Sequence, residues 1–539
     1  MNTFDFVIVG AGSAGCLLAD RLSENGRYSV LVLEAGGSDR RFWIRMPLGY
    51  GKTFFDRRVN WAYETDPVPT MENRTIYWPR GRVLGGSSSI NASVYFRGLP
   101  QDFDDWREMG NPGWGWADVQ SYFARSTNFV DGSGHRRGSG PLTISDITKE
   151  VHPLHRYLFD AAAEIGLPRT DDMNGPSPEG VGLYQINTRN GQRWSSADAF
   201  LRPAMQRPKV KVETGALVTK ILIDQNRAFG VDYQQHGQML TAKARINVIL
   251  SGGAVNSPQL LQLSGIGPGA LLRRHDIDVI VDNPAVGGNL QDHLAMSYSY
   301  KSRERTLNDE LRPLFGQLRA GLRYLTTRRG PLSISVNQCG GLVRSRPEAA
   351  QPDVQLYYNP ITYSSTGSGD QKRYVVDSFS GFILCFQPSR PTSRGRIDIR
   401  SADPQIAPAI APNYLSTNED IDVAIAGGRL IRTLQETRAF QSLIQEGIPP
   451  HLSNMSDADI LADFRARATT CYHPTSTCRM GRQPGEAVVD GRLNVFGIDA
   501  LRVVDASVFP AVTSANTNAP TVMVAEKAAE IILSAAKEA

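Results

Sequence analysis

An α/β protein built on a Rossmann-like dinucleotide-binding domain is the fold class predicted by three stretches of the 539-residue sequence. The first is FDFVIVG (4–10), a short run of β-branched and aromatic residues that reads as a buried strand. The second is the triplet Gly10, Gly12 and Gly15, spaced GxGxxG, which opens the helical pattern AGSAGCLLADRLSEN. The third is YSVLVLEAG (28–36), another buried strand, whose acid Glu34 stands 19 residues past Gly15. GxGxxG alone is a weak signal. Placed after a strand, opening a helix and followed by an acid at the end of the next strand, it marks a dinucleotide site.

Each residue has a physical reason. Gly10 permits the tight turn, Gly12 lets the backbone approach a pyrophosphate, and Gly15 allows the helix to pack closely on the strand. The helix N-terminus offers free N–H groups and the positive end of its dipole to phosphates. Glu34 would accept hydrogen bonds from a ribose diol and disfavour a 2′-phosphate. The motif alone leaves NAD and FAD both open.

Composition narrows the class. Hydrophobic residues make up 41% and charged residues 21% of the chain, the balance of a globular protein with a sizeable core, and the length predicts two or three domains. The 58 basic and 54 acidic residues leave a net charge of +4, too mild and too evenly spread to indicate a nucleic-acid partner. Five scattered cysteines do not read as a disulfide framework. The N-terminus runs almost directly into a strand, without a basic region and hydrophobic core ahead of it. No apolar run approaches the ~20 residues that span a bilayer. A cytoplasmic protein is expected, and peripheral membrane contact is compatible with the same sequence.

Next comes WPRGRVLGGSSSINASVYFRG (78–98), where Gly85, Gly86, Ser87 and Ser88 form a small-residue loop that lets backbone N–H groups reach a flat or phosphorylated ligand. Further motifs follow in order: SGGAVNSPQLLQLSGIG (251–267), VGGNLQDH (286–293), PTSRGRIDIRSADP (391–404), CYHPTSTCRMG (471–481), and a long C-terminal stretch from DGRLNVFGIDALRVVDAS through TSANTNAPTVMVAEKAAEII (490–532). With VIVGAGSAG (7–15) and RGRVLGGSSSIN (80–91), the set resembles the glucose–methanol–choline (GMC) family of FAD-dependent oxidoreductases, in the style of bacterial choline and alcohol dehydrogenases.

The resemblance implies FAD rather than NAD. It assigns Gly10, Gly12, Gly15 and Glu34 to the ADP half, and Val83, Gly86, Asn91 and Ala92 to the stretch along the flavin. Val218 matches the residue whose backbone pairs with adenine, Asp505 and Ala506 match the flavin-proximal pair, and Asn518 joins the cofactor set. Some relatives carry a histidine, bonded covalently to the flavin, where this chain has Ile90. Non-covalent, dissociable FAD is therefore expected.

The family fold implies interleaved domains. An FAD-binding domain is expected from 1–155, 195–300 and 456–539, and an antiparallel-sheet substrate domain from 156–194 and 301–455. In the middle region, RTLNDELRPLFGQLRAGLRYLTTRRG reads as an amphipathic helix. DVQLYYNPITY and DSFSGFILCFQPS read as strands, and GRIDIRS alternates. Tyr357, Tyr358, Phe382, Phe386 and Gln387 are candidates to line a substrate cavity. The Gly-rich VDGSGHRRGSGPL (130–142) reads as an exposed loop with a solvated basic pair.

The stretch ATTCYHPTSTCRMG (468–481) holds one of the eight histidines and two of the five cysteines. Its Cys–x–His spacing, with the second cysteine five residues on, matches no standard zinc pattern, and Cys471 and Cys478 are not a CxxC pair. No metal is expected, and the two cysteines read as small packing residues. His473 matches the family's catalytic histidine. Alcohol oxidation needs a base for the hydroxyl proton while a hydride passes to flavin N5, and histidine has a pKa suited to that base. Asn516 is expected beside it, orienting the substrate oxygen. Asn518 would cap the last helix, about 519–537, with Pro520 in its first turn, and would aim the helix's positive end at the flavin. His293, in NLQDH, reads as structural.

The expected activity is oxidation of an alcohol, primary alcohols favoured, to an aldehyde. A quinone- or dye-type acceptor is favoured over O2. Alternatives are an oxygen-using alcohol oxidase, a flavin-containing cyanohydrin lyase that does no net redox chemistry, and a non-catalytic FAD-binding protein.

Overall fold

A computed structural model describes residues 2–130, 136–367 and 371–538. The N-terminal pattern builds the first sheet. Its elements are β1 (Asn2–Val9), α1 (Ser13–Ser23), β2 (Val30–Glu34), β3 (Val210–Thr214), β4 (Leu217–Asp224), β5 (Arg227–Gln235), β6 (Gln238–Leu250) and then α2 (Gly253–Leu263). The strand order is β3-β2-β1-β6-β5-β4, and Leu501–Val503 adds in parallel to the end of β6. β1, β2, β3 and β6 run parallel, whereas β4, β5 and β6 form an antiparallel meander. All five residues of β2 are buried, as for a strand covered on both faces. β3 and β4 are separate strands, because the chain turns at Gly215 (φ +65°) and β4 leaves to pair with β5.

The turn between β1 and α1 needs its glycines. Gly10 has φ +97°, and a Cβ on Gly15 would sit 1.9 Å from the Gly10 carbonyl oxygen. The helix therefore lies directly on the turn, close enough for its N-terminus to open onto the cavity described below.

The middle of the chain builds the second sheet. In chain order it comprises β7 (Leu294–Ser302), α3 (Leu314–Thr327), β8 (Cys339–Val343), β9 (Val354–Asn359), β10 (Gly381–Pro388), α4 (Asn418–Glu436) and β11 (Ile444–Gly447). The antiparallel order is β8-β9-β10-β7-β11, and Thr469–Thr470 pairs with Leu294 and Ala295 at the start of β7. Strand alternation assigns the two faces. Met296, Tyr298, Leu356, Tyr358, Phe382, Leu384 and Phe386 join a core with Leu430, Phe440 and Phe464, and Gly427 of α4 lies against the Phe386 ring. Ala295, Ser297, Tyr357, Asn359 and Cys385 line the cavity. Of the expected lining residues, Tyr357 reaches it. Tyr358, Phe382 and Phe386 do not, because one step along a strand reverses the face. Gln387 lies on the cavity-side row, but its amide accepts from Tyr357 Oη (3.1 Å) and donates to Gln355 Oε1 (3.4 Å).

Two other expectations change. Pro313 splits the stretch 305–330 into Leu307–Leu311 and α3, since proline lacks the N–H a helix interior requires. Residues 131–135, including His135, lie outside the described residues. Beyond them Arg136–Arg137 forms a short exposed strand on Phe129–Val130, and Arg137 pairs with Asp172 at 3.0 Å. Among the described residues no helix is long and apolar enough to cross a membrane.

The last helix, α5 (Asn518–Glu538), packs beside α1. Arg21 (2.7 Å) and Arg125 (2.8 Å) converge on the buried Glu526 of α5. Because Glu526 is fully buried and met by two guanidinium groups, the pairing positions the two helices firmly relative to each other.

Gly15→Ala is expected to force α1 off the Gly10 turn. Overpacking of this kind costs about 2 kcal/mol, so a lowered Tm and loss of bound flavin absorbance on gel filtration should both be measured.

Candidate active site

A cavity of about 990 Å³ runs from the N-terminus of α1 to the inner face of the second sheet. Its first half is a backbone cradle. Gly10, Gly12, Ser13, Ala14, Glu34 and Ala35 line it on one side, and Gly86, Ser87, Asn91 and Ala92 on another. No side chain caps α1, whose N-cap is Gly12. Around Gly12 a Cβ would find nothing closer than the Ser251 carbonyl oxygen at 3.8 Å, whereas a Cβ on Gly86 would meet Gly12 Cα at 2.7 Å. Two glycine backbones thus touch, leaving one open face onto which the N–H groups of a helix end can project.

The acids of the cradle are held by backbone. Glu34 accepts from Ala11 N and Gly36 N, each at 2.8 Å, while burial pushes its carboxyl up to about 7. Asp505 accepts from Gly253 N (2.9 Å), Ser257 Oγ (2.6 Å) and Ser507 N (2.8 Å), tying the start of α2 to the strand Leu501–Val503. Ala506 and Val218 line the cavity. Val83 and Gly15 do not. Val83 is fully buried with Ile44, Val59 and Ile90 behind the cradle, and Gly15 acts through packing.

Asn518 is the first residue of α5 rather than its cap. The Thr517 carbonyl accepts the first helical bond from Thr521 N (3.1 Å), and Asn518 Oδ1 accepts from Ser13 Oγ (2.7 Å). The N-termini of α1 and α5 are thereby joined, and Thr517, Asn518 and Thr521 all line the cavity. Ile90 lines it as well and offers no nucleophile.

The second half is built around His473. It stands three residues after the short strand Thr469–Thr470, whose pairing with β7 brings it against His293. His293 Nε2 lies 2.8 Å from the Ser389 carbonyl oxygen, and its Nδ1 lies 3.0 Å from His473 Nδ1. A carbonyl can only accept, so His293 carries its proton on Nε2 and its Nδ1 accepts. His473 Nδ1 must then donate. Its Nε2 keeps a lone pair, 3.2 Å from Asn516 Nδ2. Burial depresses the His293 ring to about 4. It also holds His473 well below its usual value, helped by His293 and by Arg80. Both rings are neutral at neutral pH.

Asn516 is fixed in turn. Its Oδ1 accepts from Gln355 Nε2 (3.3 Å) on β9. The loop leading to it is held by buried Asp102, which accepts from Ser514 N (2.8 Å) and Ser514 Oγ (2.5 Å). Asp292 supports the other side, accepting from His473 N (2.7 Å), Thr470 Oγ1 (2.5 Å) and Tyr414 Oη, with burial raising it to about 6.

The structure brings His473 and Asn516 together as expected from the sequence. It adds His293, Asp292, Gln355, Asp102 and the buried Arg193, which donates to Asn91 Oδ1 (2.7 Å) and Asn91 O (2.6 Å). Only Asp292 and His293 had a local signal, their place in NLQDH. The others act through contacts made across the fold. Cys478 is buried in the first core, whereas Cys471 lines the cavity instead of packing away from it. Among the described residues no three His, Cys, Asp or Glu converge as a metal-binding set.

Comparison with known proteins agrees with this geometry. The GMC oxidoreductase profile matches residues 4–295 and 391–525. The chain belongs to the GMC oxidoreductase family. It is 42% identical over 539 residues to the alcohol dehydrogenase (acceptor) of Pseudomonas putida, covering 98% of this chain and 96% of that one. It is also 42% identical to the mitochondrial choline dehydrogenase of Mus musculus, covering 98% and 89%. Pyridoxine 4-oxidase from Mesorbium loti superposes with a TM-score of 0.86 at 30% identity, covering 98% of each chain. As a GMC oxidoreductase the protein is an FAD-dependent enzyme acting on CH–OH groups. The cradle fits that cofactor: open backbone at Gly12, two helix N-termini, and a buried acid at the end of β2.

Glu34 makes the cofactor-free chain pH-sensitive. Its folded value, about 7, lies above the ordinary 4.5. The stability it contributes is therefore complete below pH 4.5 and lost as pH rises through 7. Relative to Glu34→Gln, the FAD-free wild type is expected to lose about 3 kcal/mol across that window, read by denaturant melts at each pH.

Proposed function

We propose that the protein oxidises an uncharged alcohol, preferentially a primary one, to the aldehyde at the His473–Asn516 pair. FAD is held non-covalently, and a quinone- or dye-type acceptor is used in preference to O2. The observation that carries this is the unprotonated His473 Nε2, 3.2 Å from Asn516 Nδ2, on the wall of the same cavity as the glycine cradle. When bound, FAD supplies the two-electron acceptor for the hydrogen on the substrate carbon.

The chain's own groups do the rest. His473 Nε2 takes the hydroxyl proton, and burial keeps the ring unprotonated and ready. The new positive charge stays on a ring whose Nδ1–H is held by His293, itself anchored on Ser389 O. Asn516 Nδ2 turns from His473 to the substrate oxygen as negative charge develops there. Gln355 keeps the amide from flipping. The closed triad of neutral groups favours a single proton route.

Charge supports an uncharged substrate. Among the described lining residues the carboxylates are Glu34 and Asp505, both engaged by backbone N–H groups, while Lys52, Arg80, Arg312 and Arg373 also line the cavity. A quaternary ammonium would meet cations without a counter-carboxylate. The competing reading is a cation–π cage, favoured by the identity to choline dehydrogenase. Phe54 lies 5.3 Å from both Tyr374 and Tyr472, and Tyr363 lies 5.0 Å from Tyr374. These rings equally suit an aryl or alkyl group. Identity to the alcohol dehydrogenase (acceptor) supports the acceptor class. The cyanohydrin-lyase alternative is not favoured by any relative named above.

One panel tests both parts. An uncharged primary alcohol such as benzyl alcohol or butanol is expected to exceed choline at least ~10-fold in kcat/KM, with a dye outpacing air as oxidant. A choline preference would establish the cage instead. His473→Ala is expected to lower kcat/KM by ~10²–10⁴-fold with flavin absorbance retained. Because burial lowers the His473 pKa, protonation disables the base only in acid. The wild-type kcat/KM profile should therefore stay level from about pH 9 through about pH 6.5, where an ordinary imidazole is half protonated, and fall only in more acid solution.

A further inference from the structure

α3 is amphipathic with its apolar side turned outward. Leu314, Phe315, Leu318, Leu322 and Leu325 are 79, 78, 72, 64 and 57% exposed, whereas Ala320 and Tyr324 are buried. At about 100° per residue these five side chains cover one continuous arc of roughly 100°. Five of the 13 exposed large hydrophobics among the described residues fall in this one helix. Scattered apolar residues on a surface need no explanation, but a contiguous stripe marks a contact.

Charge borders the stripe. Arg312, Arg319 and Arg323 follow one another along its edge, and Arg328 and Arg329 end the segment. Residues 311–347 contain no Asp or Glu. Arg312, Arg319 and Arg329 form no ion pair among the described residues, and Arg323 reaches Glu150 at 3.2 Å. Beside the helix Phe42 and Trp43 are 50 and 44% exposed, with Lys52 Nζ 5.9 Å above the Trp43 ring. Their segment continues into Pro47–Gly49, which packs on Pro331–Ser333 just past α3. Phe42, Trp43, Lys52 and Arg312 also line the cavity, as do Gln317, Ala320 and Gly321 of α3, so the stripe lies on a helix whose other side forms part of the cavity wall.

We propose that this surface docks onto an anionic lipid bilayer, with the α3 stripe and Trp43 at the acyl boundary and the arginines at the headgroup phosphates. An apolar arc flanked by cations is the pattern of a helix lying in a membrane interface. A second copy of the chain is a poorer occupant, since it would bring the same arginines against each other without an acid to answer them. Docked this way, the helix that forms part of the cavity wall rests on the bilayer, a source of hydrophobic alcohol or electron acceptor. That use rests on the reaction proposed above. The docking itself rests on the surface alone.

Sedimentation of the full FAD-loaded chain with vesicles tests it. The protein is expected to pellet with phosphatidylcholine vesicles containing phosphatidylglycerol, and at least ~10-fold less with phosphatidylcholine alone or at high salt. The triple variant Leu318→Gln, Leu322→Gln, Leu325→Gln should partition at least ~10-fold less, with unchanged flavin absorbance, Tm and turnover of a water-soluble dye. Arg319→Glu with Arg329→Glu should abolish the preference for anionic lipid. Wild type that stays in the supernatant with both vesicle types overturns the proposal. So does a wild-type dimer that the triple variant dissolves while neither protein binds vesicles. Loss of activity without loss of vesicle binding would count against the reaction and leave the docking standing.

Discussion

One lone pair organises the active site, and its place is set by the carbonyl of the residue that follows β10. Ser389 O can only accept, so the proton order runs from it through His293 to His473 without ambiguity. The chain holds because three strands agree in register. β10 ends just before Ser389, β7 begins just after His293, and Thr469–Thr470 pairs with the first two residues of β7. Cys471 N donates to His293 O at 2.8 Å and closes the link. A slip of one residue in any pairing would turn one ring to the other face. The chemistry is thus a consequence of sheet register.

Holding such groups away from water works against stability. Asp292 and Glu34 are raised to about 6 and about 7, and both histidines are depressed. Each shift records a charged state that burial disfavours. Tyr472, next to His473, adopts φ +66°, a region few bulky residues visit. These costs persist because the surrounding structure is closely packed. On the far side of the second sheet, Tyr358, Phe382, Phe386, Phe440 and Phe464 fill an apolar core under α4, and that core keeps the strands from adjusting to relieve the strain beside the cavity.

The same alternation explains where sequence reading stopped. Tyr357 and Tyr358 are adjacent and chemically alike, and the strand sends one to the cavity and the other to the core. α3 shows the same limit for helices. Its period announces an amphipathic helix, but periodicity does not say which side meets solvent, and Pro313 with the packing of Ala320 and Tyr324 turned the apolar side out. Asn516 and Asn518 are separated by one residue. The start of α5 between them gives one to His473 and the other to Ser13.

By itself the sequence determined what depends on local geometry. The strand–turn–helix at 4–23, the acid ending β2 and the roles of Gly10 in the turn and Gly15 in the close packing of helix on strand are all legible, because a tight turn and a close backbone approach require particular residues at particular spacings. His473 and Asn516 were legible through the motifs around them. Tertiary structure alone decided the partners that reach across the fold: His293 on His473, Gln355 on Asn516, Asp102 under Ser514 and Arg193 on Asn91. Those contacts join residues 102 to 412 positions apart. No local pattern encodes which donor will meet which acceptor at such distances. That choice belongs to strand register and to the requirement that buried polar groups find partners.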